Sequence, residues 1–217
     1  MSIINLFIAG GVVMFPLLAL SILAMALILE RIFFWLQLTR RQDKVIREAL
    51  ALYRRSAKAA FQFLERNADL PIPRIFLAAL ELEQADPEEF RIALESAAQA
   101  ELPLLKRFTI VFDTVTSVSP LLGLLGTILG LIQSFGSLQI GDLGGTQATG
   151  VTAGISEALI STAAGLIVAI FTLLFANMFR GLYQRQVALI QEYGGQIELL
   201  YRRRYEQSRG FPPYAPS

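Results

Sequence analysis

SVSPLLGLLGTILGLIQSFGSL (residues 117–138) and VTAGISEALISTAAGLIVAIFTLLFANM (residues 151–178) are two apolar runs joined by a short glycine-rich stretch. Each run is long enough to cross a bilayer core as a helix, which takes about 20 residues. Inside hydrocarbon every backbone amide needs a partner within its own element, so apolar runs of this length form helices. Glycine, serine and threonine recur at helical spacing and let two such helices pack closely. The pair predicts a helical hairpin inside a membrane.

Composition supports a membrane protein and excludes several kinds of chemistry. Mean hydropathy is +0.52 and charged residues make up 17% of the chain, against about 25% in globular proteins. The chain has no cysteine and no histidine. This excludes disulfides, thiolate metal sites, histidine-based catalysis and HExxH zinc sites. We expect no cofactor, no metal site and no nucleic-acid partner, and we do not expect an enzyme.

Lysine and arginine are confined to two blocks of the sequence. None occurs in residues 1–30, thirteen fall in residues 31–107, none occurs in residues 108–179, and six fall in residues 180–209. Basic residues collect on the cytoplasmic side of membrane proteins, so both blocks are expected in the cytoplasm. The predicted fold is an all-α membrane protein with three transmembrane helices, the N-terminus outside and the C-terminus inside, and long helices extending into the cytoplasm.

The chain divides into four predicted segments along this topology. Residues 1–38 hold the first transmembrane helix, whose span runs from Leu6 to Leu29. A kink is expected at Pro16, since proline lacks the helical N–H. The remaining segments are a cytoplasmic helical region (39–107), a transmembrane hairpin (108–180), and a cytoplasmic C-terminal helix, interrupted at Gly194 and Gly195, with a disordered tail from Phe211 (181–217).

Local signals predict three helices in the cytoplasmic region. After an interfacial turn at residues 32–38, charged and apolar residues alternate at helical spacing from Gln42 to Ala60. A second helix is expected over residues 74–84, after two prolines. Asp86-Pro87-Glu88-Glu89 has the pattern of a capping box, in which aspartate caps the helix and proline occupies its first turn. The helix that begins there is expected to continue past Pro103 into the second span.

Small and polar residues of the second span, predicted at residues 114–138, share one helical face. They recur at steps of three and four residues, and they are Gly123, Gly126, Thr127, Gly130, Ser134 and Ser137. The segment GLLGTILG contains no lysine, so its glycines favour close helix packing over a phosphate loop.

The third span, predicted at residues 151–179, carries a single carboxylate, Glu157. Ser161 follows one helical turn later on the same face, and Thr162 lies about 140° round the helix from Glu157. Counting residues from the loop places Thr127 and Thr162 at nearly equal depth, and Glu157 about 10 Å inward.

Three interpretations of Glu157 remain open at this point. It is an interfacial group near the headgroups, a structural hydrogen-bonding group, or a group facing a hydrated path. An ionised side chain at mid-membrane costs on the order of 3 kcal/mol, so such groups face protein or water in preference to lipid. That cost favours the hydrated path.

Two motifs in the hairpin resemble those of a known family. SPLLGLLGTILGLIQSF (residues 119–135) and GISEALISTAAGLIVAI (residues 154–170) are similar to the two pore helices of the MotA/TolQ/ExbB proton-channel family, and most similar to those of ExbB. Three spans with the main cytoplasmic region between the first and second also resemble the ExbB/TolQ layout. The flagellar stator subunit of the same family has four spans and fits less well.

The resemblance implies a function and a set of site residues. It implies a homopentamer in the bacterial inner membrane, whose pore-lining second and third helices surround the single transmembrane helices of an ExbD-like partner. Proton flow would drive the partner and, through a TonB-like protein, energise transport across the outer membrane. The pore and proton-pathway positions carried over are Thr127, Glu157 and Thr162. The positions expected to pack the pore helices are Gly123, Gly126, Gly130, Ser161 and Ala164.

Other roles remain open from the sequence alone. One is a TolQ-like subunit that maintains the cell envelope, and another is a non-conducting membrane scaffold in which Glu157 and the glycines only assemble helices. Protons and sodium ions both remain open as the conducted ion. An intramembrane enzyme is disfavoured, because the sequence shows neither a nucleophile–base pair nor a metal-binding cluster.

Overall fold

A computed structural model of the chain describes residues 7–82, 85–136 and 146–209, with the backbone alone for 146–149. No strand occurs among these residues, and the predicted all-α fold is confirmed. Three helical stretches, within residues 14–55, 87–136 and 150–208, are long and apolar enough to cross a membrane. The helices are α1 (Met14–Arg55), α2 (Ala57–Glu65), α3 (Pro71–Leu80), α4 (Pro87–Leu105), α5 (Thr109–Gly136) and α6 (Thr146–Ser208).

The chain forms two compact units, each built from two separate stretches of sequence. The apolar unit comprises Met1–Arg31 and Phe108–Phe179, and the charged unit comprises Ile32–Arg107 and Arg180–Ser217. Helices α1 and α6 each contribute one part to both units. Two long helices therefore carry the chain from the apolar unit into the charged one.

The core of the apolar unit is made mostly of small residues. Helix α5 buries one stripe at steps of three and four residues: Phe112, Val115, Ser119, Gly123, Gly126, Gly130 and Ser134. Helix α6 buries a matching stripe: Gly154, Ala158, Ser161, Gly165, Ala169, Thr172 and Ala176. The opposite faces expose large apolar side chains such as Ile128 and Ile167. Such a distribution suits a lipid-embedded hairpin, in which small residues allow close helix approach.

Aromatic and ionic contacts join the helices of the charged unit. Phe90 of α4 stacks on Tyr201 of α6 with ring centroids 4.0 Å apart. Arg74 of α3 binds Glu101 of α4 through two hydrogen bonds of 2.8 and 2.6 Å. These contacts join α4 to α3, which precedes it in the chain, and to the distant α6, and they fix these helices against one another.

The predicted start of α4 is confirmed in detail. The Asp86 side chain accepts hydrogen bonds from the backbone N–H groups of Glu88 and Glu89, each at 2.8 Å. The Glu89 side chain in turn accepts from the Asp86 N–H. Both halves of the capping box are therefore formed, and Pro87 occupies the first turn, where its missing N–H has no consequence.

Helix α1 corrects two expectations about the first third of the chain. The predicted turn at residues 32–38 is wrong, because α1 continues unbroken to Arg55. Its buried positions, Trp35, Leu38 and Gln42 among them, keep the helical spacing through that region. The break falls instead at Ser56, whose hydroxyl caps α2 by accepting from the Ala59 N–H. Pro16 lies in the first turn of α1, where proline is tolerated, and so does not kink the helix interior.

Three further boundaries differ from the sequence-based expectation. Helix α3 begins at Pro71, because proline suits a first helical turn, and not after the prolines. Helix α4 ends at Leu105 and does not run into α5, since Phe108 adopts a left-handed backbone with φ of 66°. Helix α6 continues through Gly194 and Gly195 without interruption. Leu6, Gln84, Ser137, the predicted loop before residue 146 and the tail from Phe211 lie outside the described residues.

Candidate functional site

The register of the α5–α6 hairpin is set by glycines at which the two backbones touch. A Cβ added at Gly130 would lie 2.6 Å from the carbonyl oxygen of Gly154. A Cβ added at Gly123 would lie 3.0 Å from the Cα of Thr162, and one at Gly165 would lie 2.5 Å from the carbonyl oxygen of Ser119. Any larger residue at these positions must push the helices apart, so the three contacts fix which levels of α5 and α6 face each other.

Ser161 and Thr162 both bind the same carbonyl across this interface. The Thr162 hydroxyl donates to the Gly123 oxygen at 3.1 Å, and the Ser161 hydroxyl lies 3.4 Å from the same oxygen. Ser161 also donates to the Ala158 oxygen at 2.9 Å and is fully buried. Serine and threonine hydroxyls that bond across helices stabilise membrane hairpins modestly. Both residues therefore join α6 to α5, and Thr162 keeps part of its surface exposed.

Thr127 is half-buried on α5 and bonds within its own helix. Its hydroxyl donates to the Leu124 oxygen of its own helix at 2.6 Å. The neighbouring Gly126 is the residue that meets α6 at this level, where a Cβ would collide with the Ser161 side chain. The hydroxyl oxygen of Thr127 retains acceptor capacity, because a hydroxyl that donates once can still accept.

Glu157 is half-buried and lies against the segment that precedes α1. A Cβ built on Gly11 would collide with its carboxylate oxygen Oε1, and Gly11 has a φ of +73°. Glycine alone adopts that backbone freely, and it also leaves room for the carboxylate. Among the described residues Glu157 has no hydrogen-bond or ion-pair partner within the chain. The interpretation of Glu157 as a structural hydrogen-bonding group therefore has no supporting partner among the described residues.

The hairpin contacts bear on the depth expected for the two threonines. A Cβ at Gly126, the residue before Thr127, would meet Ser161, the residue before Thr162. Thr162 itself donates to the carbonyl of Gly123, four residues from Thr127 along α5. Thr127 and Thr162 therefore lie within about one helical turn of each other, and their equal depth stays a prediction. Helix α6 begins at Thr146, before the predicted Val151.

Four of the five predicted packing positions lie in the interface between α5 and α6, and the fifth, Ala164, lies beside it. Gly123, Gly126, Gly130 and Ser161 lie in the buried interface between α5 and α6. Ala164 is half-buried, and the residue beside it, Gly165, makes the close backbone contact. Sequence reasoning missed Gly154, Ala158 and Gly165, although they recur with Ser161 at steps of three and four residues. That periodicity is the signal from which they can be found.

The described residues contain no cluster of acidic side chains able to hold a metal ion. The hairpin nevertheless defines a class of protein: a multi-pass helical membrane protein with one unpartnered carboxylate and several hydroxyls between small-residue helices. Comparison with known proteins agrees with that class. The family model for the MotA/TolQ/ExbB proton channel family matches residues 67–192. The chain belongs to this family.

Individual relatives place the chain nearest to ExbB within the family. A Synechocystis sp. biopolymer transport protein named ExbB-like 3 is 61% identical over 199 residues, covering 92% of this chain and 95% of the relative. A second Synechocystis sp. protein, ExbB-like 1, is 43% identical over 90% of this chain and 78% of its own length. The Tol-Pal system protein TolQ of Haemophilus influenzae is 36% identical over 56% of this chain and 51% of its own length. The family is one of transport components that act with partner proteins, and it is not a known enzyme family.

Proposed function

We propose that the chain is the pore-ring subunit of a proton-driven motor in the bacterial inner membrane. Several copies, five by the family resemblance, surround the single-span helices of an ExbD-like partner. The N-terminus lies outside and the charged unit lies in the cytoplasm, as the distribution of lysine and arginine favours. Proton flow through the ring drives the partner and, through a TonB-like protein, energises transport across the outer membrane.

The observation that carries this proposal is the state of Glu157. A carboxylate in an apolar helix is costly, on the order of 3 kcal/mol when ionised, and such groups face a partner or water. Glu157 has no partner among the described residues of its own chain. A conducting path would supply such a partner, as water or as a group on another polypeptide, and the surroundings of Glu157 support the proposal in this sense.

Thr127 and Thr162 fit the same path in different ways. Thr127 offers a hydroxyl oxygen as an acceptor. Thr162 is anchored to the Gly123 carbonyl by its hydrogen bond. We assign both threonines, together with Glu157, to one pathway along the hairpin.

The energy available from protons is sufficient for mechanical work. One elementary charge crossing 100 mV yields about 2.3 kcal/mol, so a few protons supply the energy needed to repack a helix interface. The three spans contain no aspartate in their middle portions, and Glu157 is the only carboxylate of α6 before Glu192. Protons that pass this chain therefore need a second titratable group, which the ExbD-like partner supplies in this proposal.

The experiment is proton flux into sealed vesicles that contain the chain together with its candidate single-span partner. Glu157→Ala and Thr127→Val are expected to reduce flux strongly, and Thr162→Val less so, because Thr162 is partly occupied by the Gly123 carbonyl. Ser117→Ala is the matched control, since Ser117 is an exposed hydroxyl on α5 that bonds only its own helix. Unchanged flux in all three site variants refutes the pathway.

A TolQ-like role in envelope integrity is the second candidate, favoured by the similarity to TolQ of Haemophilus influenzae. The two roles share the ring and the pathway and differ in the partners. Purification of the tagged chain from native membranes, followed by identification of the co-purified single-span protein, separates them. A scaffold without conduction is a third outcome, in which Glu157→Ala lowers oligomer stability and leaves energised transport intact.

A further inference from the structure

The charged unit contains a concave site at the ends of α1 and α6. Its cavity has a volume of about 520 Å³ and is lined by residues 53–55 in the last turn of α1 and by residues between 200 and 208 at the end of α6. Ligand pockets commonly have volumes of about 300–1,000 Å³, so a small molecule fits this cavity. Arginine dominates its wall, with Arg54 and Arg55 on α1 and Arg203 and Arg204 on α6.

No carboxylate among the described residues pairs with any of these four arginines. No acidic side chain of the described residues lines the cavity. Arg204 contacts Tyr53, through its carbonyl oxygen at 3.5 Å and its ring at 5.8 Å. Arg54, Arg55 and Arg203 form no ion pair with any described residue. Helices α1 and α6 thus bring four positive charges together around one cavity with nothing in it to offset their repulsion.

The next arginine along α6 shows the contrast. Arg202, one residue before the cavity wall, forms an ion pair with Glu198 at 3.8 Å. Arg74 is likewise paired, with Glu101 at 2.6 Å. Arg202 is therefore a paired arginine directly beside the cavity wall, against which the unpaired arginines of the wall can be compared.

The guanidinium groups that line the cavity indicate which class of ligand it binds. Guanidinium groups bind phosphate oxygens bidentately and keep their charge at all physiological pH values. Four of them around one cavity match an anion with several charged oxygens better than a single carboxylate. Tyr53 adds no negative charge to the cavity wall, because burial raises the pKa of its hydroxyl to about 12 and keeps it neutral.

Linked phosphate groups occur on soluble metabolites and phosphate groups also occur on lipid headgroups. The cavity chemistry is the same for both sources, and the experiment below distinguishes them.

We propose that this cavity binds a soluble oligophosphate, a small molecule with two or three linked phosphate groups. The site is separate from the hairpin residues of the proposed proton pathway. It gives the cytoplasmic end of the protein a means of responding to a phosphate-bearing metabolite.

The test is isothermal titration calorimetry of inorganic triphosphate into the full-length oligomer in zwitterionic detergent. Wild-type protein is expected to bind saturably, and the affinity is expected to fall with added salt because the contacts are ionic. Arg54→Gln combined with Arg203→Gln should weaken binding about ten-fold or more, since charge-assisted hydrogen bonds are the strong ones. Arg202→Gln is the matched control, with the same charge change one residue away, and should leave the affinity within about two-fold.

Several results overturn the proposal. These are no saturable heat with triphosphate, an equal loss in Arg202→Gln, or a polyglutamate peptide that binds more tightly than triphosphate. Competition by phosphatidylglycerol nanodiscs, with no effect of zwitterionic ones, would assign the site to a lipid and contradict a soluble ligand. If the double variant does not assemble, as judged by its elution volume and helical circular dichroism, Arg203→Gln alone is titrated, and unchanged affinity there also refutes the site.

Discussion

The buried amide pair of Gln42 and Gln186 gives the sharpest prediction about stability. The two side chains form a reciprocal pair, in which each Nε2 donates to the other's Oε1 at 2.9 and 2.8 Å. Only 2% and 3% of their surfaces are exposed, so water cannot replace either bond. Gln42→Leu leaves both the N–H and the C=O of the Gln186 amide unpaired, at about 1–3 kcal/mol for each buried group. We expect a destabilisation of at least about 2 kcal/mol.

Replacing both glutamines by leucine should restore most of that loss. An apolar pair of similar shape leaves no unsatisfied group, so the double variant is expected within about 1 kcal/mol of wild type. The coupling between the two substitutions is then large and opposite in sign to the single effects. Gln196→Leu is the control, because Gln196 is exposed and makes one long bond of 3.4 Å to Glu192.

The chain provides its own probe for this cycle. Trp35 is the single tryptophan, is buried to 3% exposure, and belongs to the same unit as both glutamines. Denaturant unfolding followed by its fluorescence, at fixed protein concentration because oligomers unfold in a concentration-dependent way, measures each variant. Additive losses in the double variant, or a neutral Gln42→Leu, would show that the amide pair does not stabilise this unit.

Two further predictions concern other parts of the chain. Gly165→Ala should lower the melting temperature measured by helical circular dichroism in detergent, because its Cβ would meet rigid backbone on α5. Gly181→Ala is the control and should be neutral or slightly stabilising, because there is open space around Gly181. Equal effects of the two substitutions would contradict the close contact at Gly165. Burial raises the pKa of Tyr53 to about 12, above the value of about 10 in unfolded chains, so its contribution to stability is present below pH 10 and is lost as pH rises towards 12. Tyr53→Phe should flatten that decline in Trp35 fluorescence titrations, and an unchanged slope would count against it.

Local signals in the sequence were sufficient for several elements. The two apolar runs predicted the hairpin, and Asp86 with Glu89 predicted the start of α4, because capping depends on residues three positions apart. The face of α5 that carries Gly123 and Gly130 also followed from helical spacing alone. Each of these features depends on neighbours within one or two helical turns.

Features that depend on contacts between residues far apart in sequence could not be predicted in the same way. The register of the hairpin depends on which glycines of α5 and α6 meet, and counting residues from a glycine-rich stretch does not show this. The contact of Glu157 with Gly11 joins residues far apart in the chain, as does the cavity formed by Arg54 and Arg203. The continuity of α1 was recoverable, since its buried stripe runs through Trp35, but aromatic residues near the border favoured a turn.

The proposed function requires Glu157 to exchange protons along a path shared with a partner polypeptide. Proton flux in vesicles that hold the chain and its single-span partner tests it directly when Glu157→Gln and Glu157→Asp are compared. Glutamine keeps the shape and removes the titratable group, whereas aspartate keeps the carboxylate. We predict that Glu157→Gln reduces flux to the level of vesicles without the partner and that Glu157→Asp retains a measurable part. Full flux in Glu157→Gln, with the oligomer intact, would contradict the account.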